Sequence, residues 1–196
     1  MKRILGIAGS PRPKGNTELL VARVLESAAT EGAETKLFSL AGKEIAPCLA
    51  CDECVGAAPD FCVQKDDMQE LYPLMLWAEG IVFGSPVYMG TMTAQLKAVF
   101  DRARTLWRME NALSRKVAAA VTVGGGEWGG QELAIQNIFW AALNHGMIVA
   151  GSVPMVYGEW EVCGRASEPG EVLRDAGALR AAEGLGRRLA RLRVEE

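Results

Sequence analysis

The sequence is short of three things. It has one histidine, His145, among 196 residues. It has no large excess of charge of either sign, the formal net charge being −3. It has no long apolar run: the longest nearly apolar stretch, Val117 to Val123, is far below the ~20 residues needed to span a bilayer. Each shortage excludes something. A charge so near balance argues against a broad nucleic-acid surface. The N-terminal run Ile4 to Ala8 is too short for a signal-peptide core, and no small-residue cleavage site follows it, so a cytoplasmic location and no membrane partner are expected. The single histidine leaves few groups for side-chain acid–base catalysis, and no catalytic residue is assigned. His145 precedes Gly146 at an expected helix end, where a partly positive imidazole suits the helix dipole and a structural role suffices.

Repeats, low-complexity tracts and linker-like breaks are absent too, which predicts one domain over 1–196. Hydrophobic residues make up 49% and charged residues 23%, so the chain is not of the disordered class. What is present is alternation. Strands are expected at Lys2–Ala8, Glu34–Leu40, Gly80–Gly84, Lys116–Val123 and Met147–Ala150. Between them fall helical patterns. One is carried by Leu20, Val21, Val24, Leu25 and Ala28; another runs from Asp66 or Asp67 toward Ala78, with Pro73 as a kink or restart point. Two more cover Thr91–Arg104 and Gly130–His145, and a final long helix covers about Gly170–Arg193 within a C-terminal region 166–196. In that last helix Leu179, Leu185, Leu189 and Leu192 form the core side and the arginines a solvated face. Strands alternating with helices predict an α/β fold: an open five-stranded parallel sheet with helices on both faces. Ligands of such sheets bind at the carboxyl ends of the strands, near the reversal of strand order.

Three loops at those ends are unusual. The first, Gly9-Ser-Pro-Arg-Pro-Lys-Gly-Asn-Thr17, is neither a Walker loop nor GxGxxG. Ser10, Arg12, Asn16 and Thr17 surround a helix start, whose free N–H groups and dipole favour a phosphate; a plain capped turn is the alternative. The second is Gly84-Ser-Pro-Val-Tyr-Met-Gly-Thr-Met92. Pro86 and Gly90 fix its backbone, and Tyr88 and Met89 offer flat and soft contact for a planar ring; the alternative is a strand-to-helix loop with a buried tyrosine. The third has glycine at 124, 125, 126, 129 and 130, an entropic cost that close approach to a ligand justifies.

Five cysteines are present, four of them within a cysteine-rich loop, 41–65, after strand two. Cys48, Cys51 and Cys54 read CxxCxxC, and Cys62 follows after seven residues. Three readings stand: a [4Fe–4S] cluster, since a short turn can wrap three corners of a cubane while the fourth ligand comes from farther away; a four-thiolate zinc site; or thiols without metal. Cys163 stands apart as an ordinary thiol.

The motifs GSPRPKGNT, GSPVYMGTMTAQLKAVFDR, GGGEWGGQE and HGMIVAG together resemble the flavodoxin-like FMN reductase and NAD(P)H:quinone oxidoreductase superfamily. With the cysteine run, the chain most resembles its iron–sulfur flavoproteins. The resemblance spans about Met1 to Gly151. It implies FMN, with Ser10, Arg12, Asn16 and Thr17 at the phosphate. It implies Pro86, Val87, Tyr88, Met89, Gly90 and Thr91 along the isoalloxazine, with Gly124, Gly125 and Gly126 closing its other side. It implies a [4Fe–4S] cluster on Cys48, Cys51, Cys54 and Cys62, with Asp52 and Glu53 lowering its potential. It also implies ferredoxin or NAD(P)H as electron donor and a small acceptor such as a quinone, O2 or peroxide. A homo-oligomer, dimer or tetramer, is expected, with Leu106 and Trp107 available for contact. The alternatives are a cluster-free NAD(P)H-dependent FMN or quinone reductase and a zinc-stabilised flavodoxin-like binding module. One departure is Trp128, which stands where related quinone reductases carry a histidine and cannot exchange protons as that residue does.

Overall fold

Residues that alternate in sequence part to opposite faces of a strand, and here both faces are apolar. Ile4 belongs to one core and Leu5 and Ile7 to the other; Val82 divides from Ile81 and Phe83 in the same way. The computed structural model describes residues 1–55, 61–126, 129–150 and 162–194, with Val162 and Cys163 as backbone alone. The readings of Trp128 and of the Cys163 side chain lie outside the described residues.

The strands are β1 (Arg3–Ala8), β2 (Glu34–Ser39), β3 (Gly80–Pro86), β4 (Val117–Gly124), β5 (Ile148–Val149) and β6 (Val162–Arg165). The helices are α1 (Asn16–Thr30), α2 (Met68–Trp77), α3 (Ala94–Arg102), α4 (Arg104–Arg108), α5 (Gln131–Asn144) and α6 (Ala176–Arg191). All the paired strands are parallel, in the order β2-β1-β3-β4-β5. This is the expected open five-stranded sheet. The central β4, Val-Ala-Ala-Ala-Val-Thr-Val-Gly, is buried throughout, as a strand covered on both faces must be. Helices α1 and α6 cover one face, and α2, α3, α4 and α5 pack against the other. The four clustered cysteines lie in the connection right after β2.

One strand is additional. β5 pairs with Val117–Ala118 and β6 with Val121–Gly124, so two short strands share the far edge of β4. The expected C-terminal helix is divided: a 3-10 turn, Glu171–Arg174, precedes α6, and the Asp175 carboxylate caps α6 at Ala178 N (2.9 Å). Pro73 neither ends nor restarts its helix, which runs through it. The helix expected from Thr91 starts at Ala94, because the Thr93 side chain caps it. Leu106 is fully buried in the core and is not available for subunit contact, whereas Trp107 and Met109 of the same segment are exposed. His145 does sit at the helix end, but not as a partly positive group. Burial pushes its pKa below the ordinary value, outweighing its hydrogen bond to the Phe100 carbonyl (3.0 Å).

Two glycines set the height of α1 above the sheet. A Cβ at Gly84 would lie 2.3 Å from Val21 Cγ2, and one at Gly6 2.5 Å from Val21 Cγ1. Their bare backbone lets α1 rest on β1 and β3, which carries the helix start to the point where strand order reverses. Among the described residues no helix is long and apolar enough to cross a membrane.

Candidate cofactor cleft and thiol cavity

The loops after β1 and β3 are fastened to each other before any ligand is considered. Gly9 N–H donates to the Gly84 carbonyl (2.7 Å). The buried Thr93 hydroxyl donates to the Gly9 carbonyl (2.6 Å) and accepts from Leu96 N–H (3.2 Å). Thr93 N–H in turn donates to Ser85 Oγ (3.0 Å). The third loop is held by Gln131, whose amide is buried at the start of α5. It donates to the Gly126 carbonyl (2.6 Å) and accepts from Gly129 N–H (2.8 Å).

Between these loops opens a cleft of about 380 Å³. Ser10, Arg12, Asn16 and Thr17 border it from the first loop, Pro86, Val87 and Tyr88 from the second, and Gly125 from the third. These eight expected residues therefore converge. Helix α1 opens here behind Gly15, with no side chain capping its N-terminus. Glu18, in the first turn, is tied to Lys14 N–H (3.2 Å) and to the Ser39 hydroxyl (2.7 Å). The helix start thus faces the cleft with Arg12 and Lys14 exposed at its lip. Free N–H groups, a positive dipole end and a guanidinium suit a phosphate monoester.

The other expected residues sit differently. Tyr88 and Thr91 exchange backbone hydrogen bonds (2.9 and 3.1 Å) around Met89 and Gly90, which have φ of 47° and 80°. That tight turn throws the Met89 side chain fully into solvent, so it does not line the cleft. Val87 N–H is committed to the Val123 carbonyl (2.9 Å) and Tyr88 N–H to Thr91. The Val87 and Tyr88 N–H groups are therefore not available to a ligand. Gly124 is glycine because a Cβ there would lie 2.5 Å from Gln131 Nε2. The Asn16 side chain reaches across the chain, donating to the Glu168 carbonyl (2.8 Å) and accepting from Val172 N–H (3.3 Å).

Several participants were not singled out from the sequence. Thr93 carried an available signal, a hydroxyl just ahead of a helical pattern. Gln131 and the wall formed by Ala166, Ser167 and Pro169 carried none.

The cysteine loop makes a second, smaller space. Cys48, Cys51, Cys54 and Cys62 all line one gap of about 20 Å³, together with Arg102, Arg104 and Thr105. That is room for about one water. Among the described residues no three His, Cys, Asp or Glu side chains stand close enough together to hold a metal ion. The donor set itself, four soft thiols around one gap, fits a thiophilic centre in kind. Among the described residues the gap shares no lining residue with the cleft.

Residues 2–161 match the family described as NADPH-dependent FMN reductase. An iron-sulfur flavoprotein from Methanocaldococcus jannaschii is 43% identical over 189 residues, covering 96% of this chain and 95% of the relative. Another, from Methanosarcina thermophila, is 49% identical over 150 residues, 76% of this chain and 77% of the relative. The solved flavodoxin, WrbA-like protein from Agrobacterium tumefaciens superposes with a TM-score of 0.64 at 20% identity, covering 97% and 96% of the two chains. It shares the fold. With its parallel sheet, its three loops and these relatives, the chain belongs to the NADPH-dependent FMN reductase family and is a flavin-dependent oxidoreductase.

Proposed function

We propose that this chain holds FMN in the cleft and uses it to pass electrons from NAD(P)H to a small flavin- or quinone-type acceptor, with O2 and peroxide in the same acceptor class. The observation that carries the reading is the uncapped start of α1 opening into the cleft beneath Arg12. Ser10, Thr17, Arg12 and the backbone N–H groups at Asn16 and Thr17 would hold the phosphate. The Asn16 amide holds the 168–172 segment in place as the facing wall. Pro86, Val87 and Tyr88 would lie along the ring, with Met89 and Gly90 donating from their backbone and Gly124, Gly125 and Gly126 opposite. Bound FMN supplies hydride and one-electron chemistry. The protein supplies position and exclusion of water, and no side-chain base is required.

The cysteines extend this reading. Cys48, Cys51, Cys54 and Cys62 would hold a [4Fe–4S] cluster, giving the chain a one-electron centre open to a ferredoxin as well. Their convergence on one gap and the names of the M. jannaschii and M. thermophila relatives support this. The cluster-free reductase needs the cleft alone, and the lack of a closed ligand group among the described residues favours it. A homo-oligomer in the cytoplasm completes the proposal.

Two measurements test it. FMN and riboflavin are titrated into the flavin-free protein by fluorescence quenching. FMN binding at least 100-fold tighter is expected; equal affinities sink the phosphate site. Iron, zinc and acid-labile sulfide are counted in anaerobically purified protein. Iron and sulfide near four per chain support the cluster, in line with the cubane composition. Zinc selects the zinc-stabilised alternative, and no metal with full NAD(P)H–quinone turnover selects the cluster-free reductase.

A further inference from the structure

Arg102 is among the largest fully buried side chains of the protein, an unusual place for a guanidinium. It stands at the end of α3, and its partners all belong to the two ends of the cysteine segment. One terminal nitrogen donates to the Ala46 carbonyl (2.9 Å), two residues before Cys48, and to Asp66 Oδ2 (2.6 Å). The other donates to Asp66 Oδ1 (3.0 Å) and reaches the Gln64 carbonyl (3.4 Å), two residues after Cys62. Asp66 closes the ring by accepting from Ala46 N–H (3.0 Å), and Gln64 does so by donating to the Pro47 carbonyl (3.2 Å). The neck of the cysteine loop is therefore drawn together on a single planar cation.

Four of the five N–H groups are accounted for. The fifth, on Nε, is buried and has no hydrogen-bond partner among the described residues. Leaving a buried donor unpaired is costly, more so on a charged group, and native structures seldom tolerate that without a reason. The same side chain lines the gap that the four thiols share. Next to it, the Tyr72 hydroxyl donates to the Arg102 carbonyl (3.1 Å). Beside four cysteines, sulfur is an acceptor at hand for that spare N–H.

We propose that Arg102 is a positioning residue for the four-thiol site: its fork clamps the neck of the loop, and its spare Nε–H donates to a sulfur of the bound centre. The inference rests on reading the four cysteines as a soft-metal site. The clamp removes loop-closure entropy before metal arrives, and the fifth donor with its positive charge stabilises the more reduced, more negative state. A lysine would keep the charge but lose both fork and Nε–H.

The test uses anaerobically purified full-length protein. Arg102→Lys is one variant. The paired replacement Arg102→Met with Asp66→Leu is the other, since removing both members of a buried ion pair together is often tolerated where removing one is not. Gln64→Ala is the control, opening the neck at Pro47 without touching a sulfur donor. Metal content, the rate of metal loss to a chelator and the midpoint potential are measured, with FMN binding as the check on folding. Both Arg102 variants are expected to lose metal at least tenfold faster and to show a lower potential. Gln64→Ala speeds loss and leaves the potential in place. If either folded Arg102 variant keeps the wild-type rate and potential, the proposal is overturned. If the centre is zinc, the rate alone decides. Wild-type protein with neither iron nor zinc overturns the metal-site reading itself, a result visible without any variant.

Discussion

Thr93 joins the first two cofactor loops through one hydroxyl, and Thr93→Val isolates that atom. Valine keeps the branched shape and fills the same fully buried space. Two interactions disappear. The α3 cap at Leu96 N–H is lost, at about 1 kcal/mol. The Gly9 carbonyl loses its 2.6 Å partner in a buried position, at about 1–3 kcal/mol. Together the loss is about 2–4 kcal/mol, which for a chain of this length lowers Tm by roughly 4–16 °C. Thr93→Ser retains the hydroxyl and is expected within about 1 kcal/mol of wild type. Urea unfolding of the flavin-free protein measures stability, and FMN titration measures the site. Gly9 precedes Ser10 directly, so Thr93→Val should also weaken FMN binding while Thr93→Ser does not. A Thr93→Val protein within about 0.5 kcal/mol of wild type would refute the claim that this hydroxyl fastens the loops.

Further predictions follow from packing and charge. Gly84→Ala should destabilise by about 1–3 kcal/mol, because its methyl enters the space of Val21 Cγ2; Val21→Ala in the same chain should recover part of that loss in a double-mutant cycle by urea unfolding. His145 has a folded pKa below its ordinary 6.5, so the fold binds fewer protons than the unfolded chain. Stability should hold above that value and fall as pH drops through it, by at most about 1.4 kcal/mol per pH unit, and His145→Gln should flatten this part of the profile. Burial alone would raise the Asp66 pKa, but Arg102 and the N–H groups of Ala46 and Met68 hold it below 3.8. Its contribution is therefore present above that pH and lost in stronger acid. Asp66→Ala, which leaves Arg102 buried and unpaired, should cost about 3–5 kcal/mol by thermal unfolding at neutral pH.

The strands β1, β3 and β4 were legible because strands covered on both faces are written as apolar runs. β6 was not, since Val-Cys-Gly-Arg has no alternation and becomes a strand only because the edge of β4 is free beside it. The helix starts were legible to within a few residues, and Thr93 shows why: the capping hydroxyl lies inside the segment that periodicity assigns to the helix. In the cleft, the rule of strand-order reversal placed the loops correctly. It could not foresee that positive φ at Met89 would turn that side chain outward, or that Asn16 would spend its amide on residues 168 and 172. The cysteine spacing pointed to a metal site; the four thiols border one gap, but among the described residues no three ligating side chains stand close enough together to hold a metal ion. Arg102 was invisible, since an arginine near the end of an amphipathic helix reads as a solvent-facing residue.

The wall of the cleft opposite the first loop comes from Ala166, Ser167 and Pro169, held by a hydrogen bond from Asn16 to a residue 152 positions later. This sets an order of events on the ribosome. The sheet positions β1 to β4 and the start of α1 can assemble while later residues are still being synthesised, but the cleft lacks a side until residue 172 has emerged. A product cut short of these residues would carry the three loops without this wall.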